Sequence, residues 1–385
     1  MQNWFRLSLI SSGFIAVLVG YTSSVAIVFQ AATAAGATTE QISSWMWALG
    51  LGMGATCIGL SLRYRAPILT AWSTPGAALL ATSLPGLGIG QSIGVFLFCS
   101  LLITISGMTG AFQRIVQRVP HHIASAMLAG VLFRFGAELF IAMQNQWLMV
   151  GTMFIAFLLA RRYLPRYTIP LALAAGIAAA AMLGQLRLER LEWELARPVL
   201  MMPEFSLSAL LGVGLPLFIV TMTSQNVPGL AVLRANGYQT PASPLISWTG
   251  FTGVLLAPFG GYSYNLAAIT AAICMSRDAD PDPSRRYLAA VWAGIFYLVI
   301  GIFGATVAGL FEAFPPALVA AIAGLALLGT IGNSLATALS DEKGRDAALI
   351  TFLATASGIS FAGISSAFWG MLLGFALHLL TARRR

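Results

Sequence analysis

Two stretches of this chain, one in each half, interrupt long apolar runs with the same kind of break. The first covers 67–78 and the second 258–268. Each opens with proline, continues through polar and aromatic residues, and passes through Ser-x-x-x-Ala-Ala into an apolar segment. Inside a membrane, backbone outside a helix is tolerated only where it is buried in protein or lines a cavity. Two such breaks therefore predict a substrate site between inverted repeats.

The composition places almost the whole chain in lipid. Of 385 residues 58% are apolar and 9% are charged, and the mean hydropathy is +0.83, which is typical of an all-α integral membrane protein. The first apolar run, 13–35, is too long for a cleaved signal and is predicted to be the first span. Cys57, Cys99 and Cys274 lie in apolar segments without paired spacing. We therefore expect no disulfide framework, no metal site and no cofactor.

Apolar runs separated by polar, glycine and proline residues predict fourteen transmembrane segments. Their approximate bounds are 13–35, 42–62, 66–83, 90–113, 121–141, 146–160, 167–186, 207–233, 243–256, 258–276, 287–311, 315–339, 345–362 and 364–382. Several are shorter than the roughly 20 residues of a straight span, which suits tilted, broken or re-entrant helices.

The basic residues support this count. An even number of spans puts both termini on one side, and 17 of the 21 Lys and Arg residues then fall on that side. They are Arg6, Arg63, Arg65, Arg114, Arg118, Arg161, Arg162, Arg166, Arg234, Arg277, Arg285, Arg286, Lys343, Arg345 and Arg383 to Arg385. Positive residues stay in the cytoplasm, so both termini are predicted to be cytoplasmic. The net charge of +8 follows from this topology and requires no nucleic-acid partner.

The two halves of the chain are similar to each other. Thr22 and Trp45 have counterparts at Thr223 and Trp248 at nearly equal spacing, and the break at 73–79 matches 263–269. With seven spans in each half, the second copy would enter the membrane upside down, giving a 7+7 inverted repeat over 1–195 and 205–385. The alternative is chance similarity between segments rich in alanine and glycine.

The breaks predict an anion site. Half-helices beginning at Thr74 and near Tyr264 would direct free N–H groups, and the partial positive charge of each helix start, into the gap between them. Hydroxyl and amide groups would bind a carboxylate, and aromatic rings would cover an apolar body. A small amphipathic anion fits this lining better than a sugar or a cation. The predicted substrate-binding residues are Tyr21, Ser24, Trp72, Ser73, Thr74, Gly76, Ser224, Gln225, Asn226, Tyr262, Ser263, Tyr264 and Asn265.

Several of these polar residues have a second interpretation. Ser23, Thr223 and Thr270, taken singly, are also typical of helix–helix packing. Arg134, deep in its span, is a candidate for substrate attraction or gating, but Glu138 lies one turn away and can pair with it. Apart from Asp346 at the very start of the span 345–362, no other predicted span contains a carboxylate, so proton coupling would depend on the substrate carboxylate or on water held by Gln225 and Asn226. An enzyme is excluded because we find no His/Cys/Asp/Glu constellation inside the spans.

Four motifs carry a resemblance to a known family. They are Pro67-Ile68-Leu69-Thr70-Ala71-Trp72-Ser73-Thr74-Pro75-Gly76-Ala77-Ala78-Leu79-Leu80, Thr223-Ser224-Gln225-Asn226-Val227-Pro228-Gly229, Ala267-Ala268-Ile269-Thr270-Ala271-Ala272-Ile273-Cys274 and Ser366-Ala367-Phe368-Trp369-Gly370. Over its full length the chain resembles the benzoate membrane transport (BenE) family. The resemblance implies a bacterial inner-membrane symporter for benzoate and protons, surrounded by lipid. An anion exchanger or channel for another small organic acid is the alternative.

The BenE family is in turn similar to nucleobase–ascorbate (uracil) transporters and sulfate-transporter-like carriers. This similarity implies core domains at 1–119 and 205–312, gate domains at 120–195 and 313–385, and an elevator-like movement between them. It also implies that spans 3 and 10 are each a short strand plus a half-helix, and that the protein is a homodimer. Nucleobase carriers have acidic and histidine residues in the eighth span, where this chain has Ser224-Gln225-Asn226. Without a fixed carboxylate, an anionic substrate would not be repelled.

Overall fold

A computed structural model describes residues 5–110, 120–187 and 193–382 of the chain. The predicted end of the fourth span at 113 and the predicted core–gate boundary at 119 lie outside the described residues. So do the basic residues Arg114, Arg118, Arg190 and Arg383 to Arg385.

The first half of the chain contains eight helices and one short strand among its described residues. Their bounds are α1 Leu7–Thr22, α2 Val25–Ala34, α3 Thr39–Tyr64, β1 Thr70–Trp72, α4 Thr74–Ser83, α5 Ile89–Met108, α6 His121–Asn145, α7 Trp147–Tyr163 and α8 Thr168–Met182. α1 and α2 are bent by 40° at Ser23 and Ser24, so the first predicted span is a broken helix.

The second half begins with a long helix and again contains one strand. Its elements are α9 Leu207–Ala235, α10 Ala242–Leu256, β2 Tyr264–Leu266, α11 Ile269–Met275, α12 Tyr287–Ile302, α13 Gly304–Ala313, α14 Pro316–Leu339, α15 Arg345–Ala356 and α16 Ser366–Ala382. Two π-turns, Leu210–Gly214 and Met222–Asn226, interrupt the α-helical pattern of α9. Single π-turns inside helices are frequent at functional sites.

The helices that can cross a membrane by themselves are fewer than the predicted segments. Six helices of the described chain are long and apolar enough, and the bent pair of α1 and α2 makes a seventh. The remaining helices are shorter, as in α4, α8, α11 and α15, and the predicted span 287–311 is divided at Phe303 into the two helices α12 and α13. The fourteen-span count and the side on which the termini lie stay predictions.

The two breaks in the sequence meet as a two-stranded antiparallel sheet. β1 pairs with β2 in the register Thr70↔Leu266, Ala71↔Asn265 and Trp72↔Tyr264. The pairing continues at one end, where the Ser73 N–H donates to the Ser263 carbonyl. The backbone groups that leave helical geometry are thus hydrogen-bonded to each other, which a membrane interior requires.

The strand at 264–266 corrects one prediction. The second half-helix begins at Ile269 and not near Tyr264. Tyr264 to Leu266 pair with β1, and the Ala267 N–H donates to the Leu69 carbonyl, so the chain stays extended to this point. A short strand followed by a short helix, which the resemblance implies for spans 3 and 10, is present at both segments.

Side chains of α3 hold β1 in place. The hydroxyl groups of Thr56 and Thr70 are 2.6 Å apart, and the Thr70 N–H donates to the Cys57 sulfur at 3.1 Å. The Ser61 hydroxyl both donates to the Ile68 carbonyl and accepts from the Ile68 N–H. All these groups are buried, so the strand occupies a fixed position on α3.

The helices pack in two groups. In the first group α3 packs on α12 and α5 packs on α10; in the second group α6 packs on α14 and on α15, α7 on α8, and α15 on α16. The α3–α12 contact is close: a Cβ added at Gly50 would lie 2.5 Å from the Gly301 Cα, so only glycine fits there. We call α1–α5 with α9–α13 the first group, and α6–α8 with α14–α16 the second group.

A loop rich in charge fixes the end of α11. The Arg286 guanidinium, which is buried, donates to the carbonyls of Met275 and Asp280 and so caps the C-terminus of α11. The buried Asp280 carboxylate pairs with Arg6 at 2.9 Å. These contacts tie α11 to the residues that precede α1.

Candidate functional site

A cavity of about 540 Å³ lies between the two helix groups, at the point where the strands end and the half-helices begin. Its first wall comes from α1, β1, the starts of α4 and α11, and the π-turn of α9. Its second wall comes from α6, α8 and α14. Because the lining extends to Ser125 near the start of α6 and to Thr337 near the end of α14, the cavity reaches from the breaks toward that end of the bundle.

Some of the predicted site residues line this cavity together. They are Ser24, Trp72, Thr74, Ser224 and Gln225. Ser23 and Thr270, for which packing was the alternative, line it as well. The structure therefore brings residues from α1, β1, α4 and α9 to one surface, although they are far apart in the sequence.

The start of α4 is built by three consecutive residues. Ser73 is the N-cap, and its hydroxyl accepts from the Gly76 N–H at 3.0 Å. Pro75 has no N–H, so the N–H of Thr74 is the one early donor of this helix without a partner among the described residues. Thr74 and Pro75 line the cavity, which places this donor and the positive end of the helix at its wall.

The structure moves Ser73 and Gly76 out of the predicted lining. The Ser73 side chain is fully buried because it caps α4. Gly76 packs against α9: an added Cβ would be 2.7 Å from the Ser73 hydroxyl and 2.8 Å from a Leu217 methyl group. Both residues therefore support the start of α4 without lining the cavity.

Trp72 presents the predicted aromatic surface. Its indole N–H donates to the Ser24 hydroxyl at 2.8 Å, and that hydroxyl in turn donates to the Gly20 carbonyl. The ring of Tyr21 packs on Trp72 with a centroid distance of 5.0 Å. Tyr21 itself does not line the cavity; it packs against Trp72, which does.

The predicted residues of the second break are also corrected. Tyr262 and Tyr264 lie outside the cavity, in the apolar core of the first group. The Tyr264 hydroxyl donates to the Ala48 carbonyl at 2.7 Å, and the Tyr262 ring lies 5.6 Å from that of Phe96. Both rings are buried, that of Tyr262 against Trp45 of α3 and Phe96 of α5, which leaves Trp72 as the predicted aromatic residue at the cavity.

Ser263 and Asn265 have structural partners as well. The backbone of Ser263 has a φ of 46°, and its hydroxyl is 2.6 Å from that of Thr221. The Asn265 amide donates to the Ser263 carbonyl at 3.0 Å. Both side chains are fully buried beside β2, and neither lines the cavity.

The structure separates Gln225 from Asn226. Gln225 lines the cavity, but Asn226 is fully buried, and its amide oxygen accepts from the Leu266 N–H at 3.0 Å. Asn226 thereby hydrogen-bonds the last residue of β2. Thr223 donates to its own helix, at the Ile219 carbonyl, which agrees with the packing alternative.

Arg134 and Glu138 lie away from the main cavity. The Arg134 Nε is 3.0 Å from a Glu138 carboxylate oxygen, so the pairing alternative is present in the structure. The two residues line a separate cavity of about 80 Å³ together with Gln30 of α2 and Thr82 of α4. This small cavity is a second place where the two helix groups face each other.

The second wall of the main cavity was not predicted. It is polar, and its residues on α14 are spaced by three and four positions, so they form one stripe along the helix. The residues are Thr330, Asn333, Ser334 and Thr337, with Ser125 on α6. This spacing is visible in the sequence and could have been found. Tyr297 of α12, which also lines the cavity, gives no such signal because it is a single tyrosine in an apolar run.

The lining is uncharged and combines polar with apolar side chains. Among the described residues, no Asp, Glu, His, Lys or Arg lines the main cavity; hydroxyl, amide and apolar side chains do. The described part of the chain also has no group of three or more side chains suited to a metal ion. The arrangement can hold a small amphipathic ligand by hydrogen bonds and apolar contact.

Comparisons with known proteins agree on the kind of molecule. A family model described as benzoate membrane transport protein (BenE) matches residues 3–380. The inner membrane protein YdcO of Escherichia coli is 49% identical over 97% of both chains. The benzoate membrane transport protein of Acinetobacter baylyi is 41% identical over 98% of this chain and 96% of that protein. The transmembrane domain of the cyanobacterial bicarbonate transporter BicA has the same fold, with a TM-score of 0.60 at 14% identity over 99% and 98% of the two chains.

Proposed function

Because this chain belongs to the benzoate membrane transport (BenE) family, we propose that it imports benzoate or a related aromatic carboxylate together with protons. Membership in this family makes the chain a membrane transporter and not an enzyme. The proposal concerns the substrate, its binding residues, the coupling ion and the movement that carries the substrate across.

The uncharged polar lining of the main cavity is the observation that carries the proposal. Thr74 and Gln225 offer hydrogen-bond donors to a carboxylate, and the free Thr74 N–H adds the partial charge of a helix start. The hydroxyls of Ser24 and Ser224 line the same surface but already donate to the carbonyls of Gly20 and Val220. Trp72 offers an aromatic face to the substrate ring. A cavity of about 540 Å³ is within the ordinary range for small-molecule sites.

For the movement, we propose that the first helix group is a core domain and the second a gate domain in a 7+7 inverted repeat. Two features support this. The antiparallel pairing of β1 with β2 is what two copies related by an in-plane axis would form, and the α3–α12 contact has a counterpart in α5–α10. An elevator-like shift of the core along the gate would carry the cavity from one side to the other.

For the orientation, the proposal places both termini in the cytoplasm of a bacterial inner membrane, on the strength of the basic residues. The cavity then opens to the cytoplasm, because it reaches toward the start of α6 and the end of α14. A homodimer remains part of the proposal through the resemblance alone.

The described residues that line the main cavity include no charged side chain to carry a proton. We propose that the substrate carboxylate, or water held by Gln225, accompanies the proton. The amide oxygen of Asn226 already accepts from the Leu266 N–H, so this residue is a weaker candidate than Gln225.

Uptake into proteoliposomes tests this function. Radiolabelled benzoate should accumulate when a proton gradient is directed inward, and accumulation should stop when an ionophore collapses that gradient. Absence of uptake for every aromatic acid tried would contradict the substrate assignment.

An anion exchanger or channel is the second candidate, and one observation favours it: no carboxylate or histidine among the described residues lines the cavity to carry a proton. An exchanger would take up benzoate only when an anion is present inside the vesicle, whatever the proton gradient. The same vesicles, loaded with or without a second organic anion, distinguish the two mechanisms.

A further inference from the structure

Tyr297 has a buried ring and a hydroxyl with no hydrogen-bond partner among the described residues. The side chain is only 2% exposed, yet it lines the main cavity. The hydroxyl oxygen is not fully enclosed by protein atoms. The hydroxyl therefore faces the cavity space and needs a partner there, because a buried polar group without one is unfavourable.

Any side chain at position 20 would crowd this hydroxyl. A Cβ added at Gly20 would be 3.3 Å from the Tyr297 hydroxyl oxygen and 3.1 Å from the Thr270 methyl carbon. Gly20 and Thr270 both line the cavity. These three residues, from α1, α11 and α12, form a small recess that we call the Tyr297 recess.

The recess offers a hydroxyl donor and no charge. The neighbouring Gly20 carbonyl already accepts from the hydroxyls of Ser23 and Ser24. The Tyr297 hydroxyl can donate to an incoming acceptor, whereas Thr270 directs its methyl carbon toward Gly20. Neutral donors in a site of low dielectric bind an anionic oxygen more strongly than a neutral one.

We propose that the Tyr297 recess binds the carboxylate of the transported acid, with the Tyr297 hydroxyl as donor and Gly20 leaving room for the carboxylate oxygen. This inference rests on the proposed function and adds to it a residue that the sequence did not single out. Tyr297 is thus a specificity-determining residue for acids over neutral molecules of the same shape.

Tyr297→Phe is the direct test, because it removes one oxygen atom and leaves the ring. The dissociation constant of purified protein for benzoate should rise about 10-fold or more, the effect of losing a hydrogen bond to a charged group. The rise should be smaller for benzamide, a neutral analogue of the same shape. Thermal stability without ligand should stay the same, because the lost hydroxyl has no protein partner.

Tyr262→Phe is the matched control. Tyr262 is also buried and its hydroxyl also lacks a partner among the described residues, but it lies outside the cavity. This variant should bind benzoate like the wild type. Equal benzoate affinity in the wild type and in Tyr297→Phe would overturn the proposal.

Gly20→Ala tests the space independently of the donor. The added methyl group should narrow the recess and weaken benzoate binding, although alanine is otherwise the better residue in a helix. Unchanged affinity in this variant would overturn the role of Gly20. If the wild-type protein neither binds nor takes up benzoate, the proposed function itself is refuted. If the wild type binds and transports benzoate and Tyr297→Phe does so equally well, only the role of the Tyr297 recess is refuted.

Discussion

At the scale of single residues, neighbours in the sequence differ in which surface they face. Gln225 and Asn226 are adjacent amides in one π-turn, but only Gln225 reaches the cavity. The side chain of Asn226 instead accepts a hydrogen bond from the N–H of Leu266 at the end of β2. A sequence pattern cannot distinguish these roles, because both residue types suit either one.

Substitution of the two amides by alanine should separate binding from stability. Asn226→Ala leaves the buried Leu266 N–H unpaired and should lower the free energy of unfolding by about 1–3 kcal/mol. Gln225→Ala should leave stability nearly unchanged and raise the dissociation constant for benzoate. Thermal denaturation and ligand titration of the two variants measure these effects.

The reverse result, a stability loss in Gln225→Ala with normal binding, would contradict the assignment. Gln225→Ala that keeps both substrate affinity and proton coupling would remove this residue from the coupling scheme.

The start of α4 gives a second prediction at this scale. Ser73→Ala removes the acceptor for the Gly76 N–H, and loss of an N-cap hydroxyl costs about 1 kcal/mol of stability. Ser73→Asp, which keeps an acceptor, should retain more of the stability than Ser73→Ala does. Denaturation curves of both variants test this, and equal stability of wild type and Ser73→Ala would contradict the capping role.

Arg134 is the remaining residue with an open role. It pairs with Glu138 on a half-exposed surface, where an i,i+4 ion pair contributes about 0.3–0.5 kcal/mol. Because Arg134 is outside the main cavity, Arg134→Gln should leave the dissociation constant for benzoate unchanged. Glu138→Gln is the matched variant, and weaker binding in Arg134→Gln alone would show a role in attracting the substrate.

At the scale of elements, the polar stripe of α14 explains how an otherwise apolar helix forms a polar surface of the main cavity. Thr330, Asn333, Ser334 and Thr337 occupy one face, and this face borders the main cavity. The preceding part of the helix, with Leu318, Ile322 and Leu325, is buried in the core. One helix thus combines packing in its first half with a hydrophilic path in its second half.

The stripe should affect the rate of transport. In the double variant Thr330→Val and Thr337→Val, two hydroxyls along the path are lost, and a loss of about 1 kcal/mol in the stabilisation of a passing anion lowers the rate about 5-fold. The initial rate of benzoate uptake at saturating substrate measures this effect. Thr152→Val is the control, because Thr152 lies exposed on α7 and donates only to the Leu148 carbonyl. An unchanged rate in the double variant would exclude the stripe from the path.

At the scale of the whole molecule, the two helix groups face each other at two cavities. The main cavity lies on one side of the strands, and the small cavity with Arg134 joins α2 and α4 to α6. If the first group moves along the second, the residues around the small cavity must change their distances. A covalent cross-link between the two helix groups at the small cavity should therefore stop transport.

Cysteines introduced by Thr82→Cys and Glu138→Cys test the movement. Treatment with a short cleavable cross-linker should abolish benzoate uptake, and cleavage should restore it. The matched control links α6 to α15 inside the second group through Phe133→Cys and Phe352→Cys, whose native rings are 5.9 Å apart. The native cysteines are buried and should not react. Benzoate uptake that persists after the two helix groups are cross-linked would contradict a movement between them.

Local patterns in the chain were sufficient to predict the class of the protein and the places where its helices break. Hydropathy and the paired prolines depend on local composition, and in a membrane each backbone group must find a hydrogen bond nearby, so breaks are visible in the sequence. Of the residues that the same patterns predict to bind substrate, Ser24, Trp72, Thr74, Ser224 and Gln225 line the main cavity.

Which side of each break faces the cavity depends on contacts between distant parts of the chain. The pairing of β1 with β2 delays the second half-helix to Ile269 and leaves Tyr262 and Tyr264 in the core. It also brings Tyr297 and the α14 stripe, from distant parts of the chain, to the same space. The physical reason is that a strand or helix has several faces of similar polarity, and the contacts that bury one of them come from residues remote in sequence.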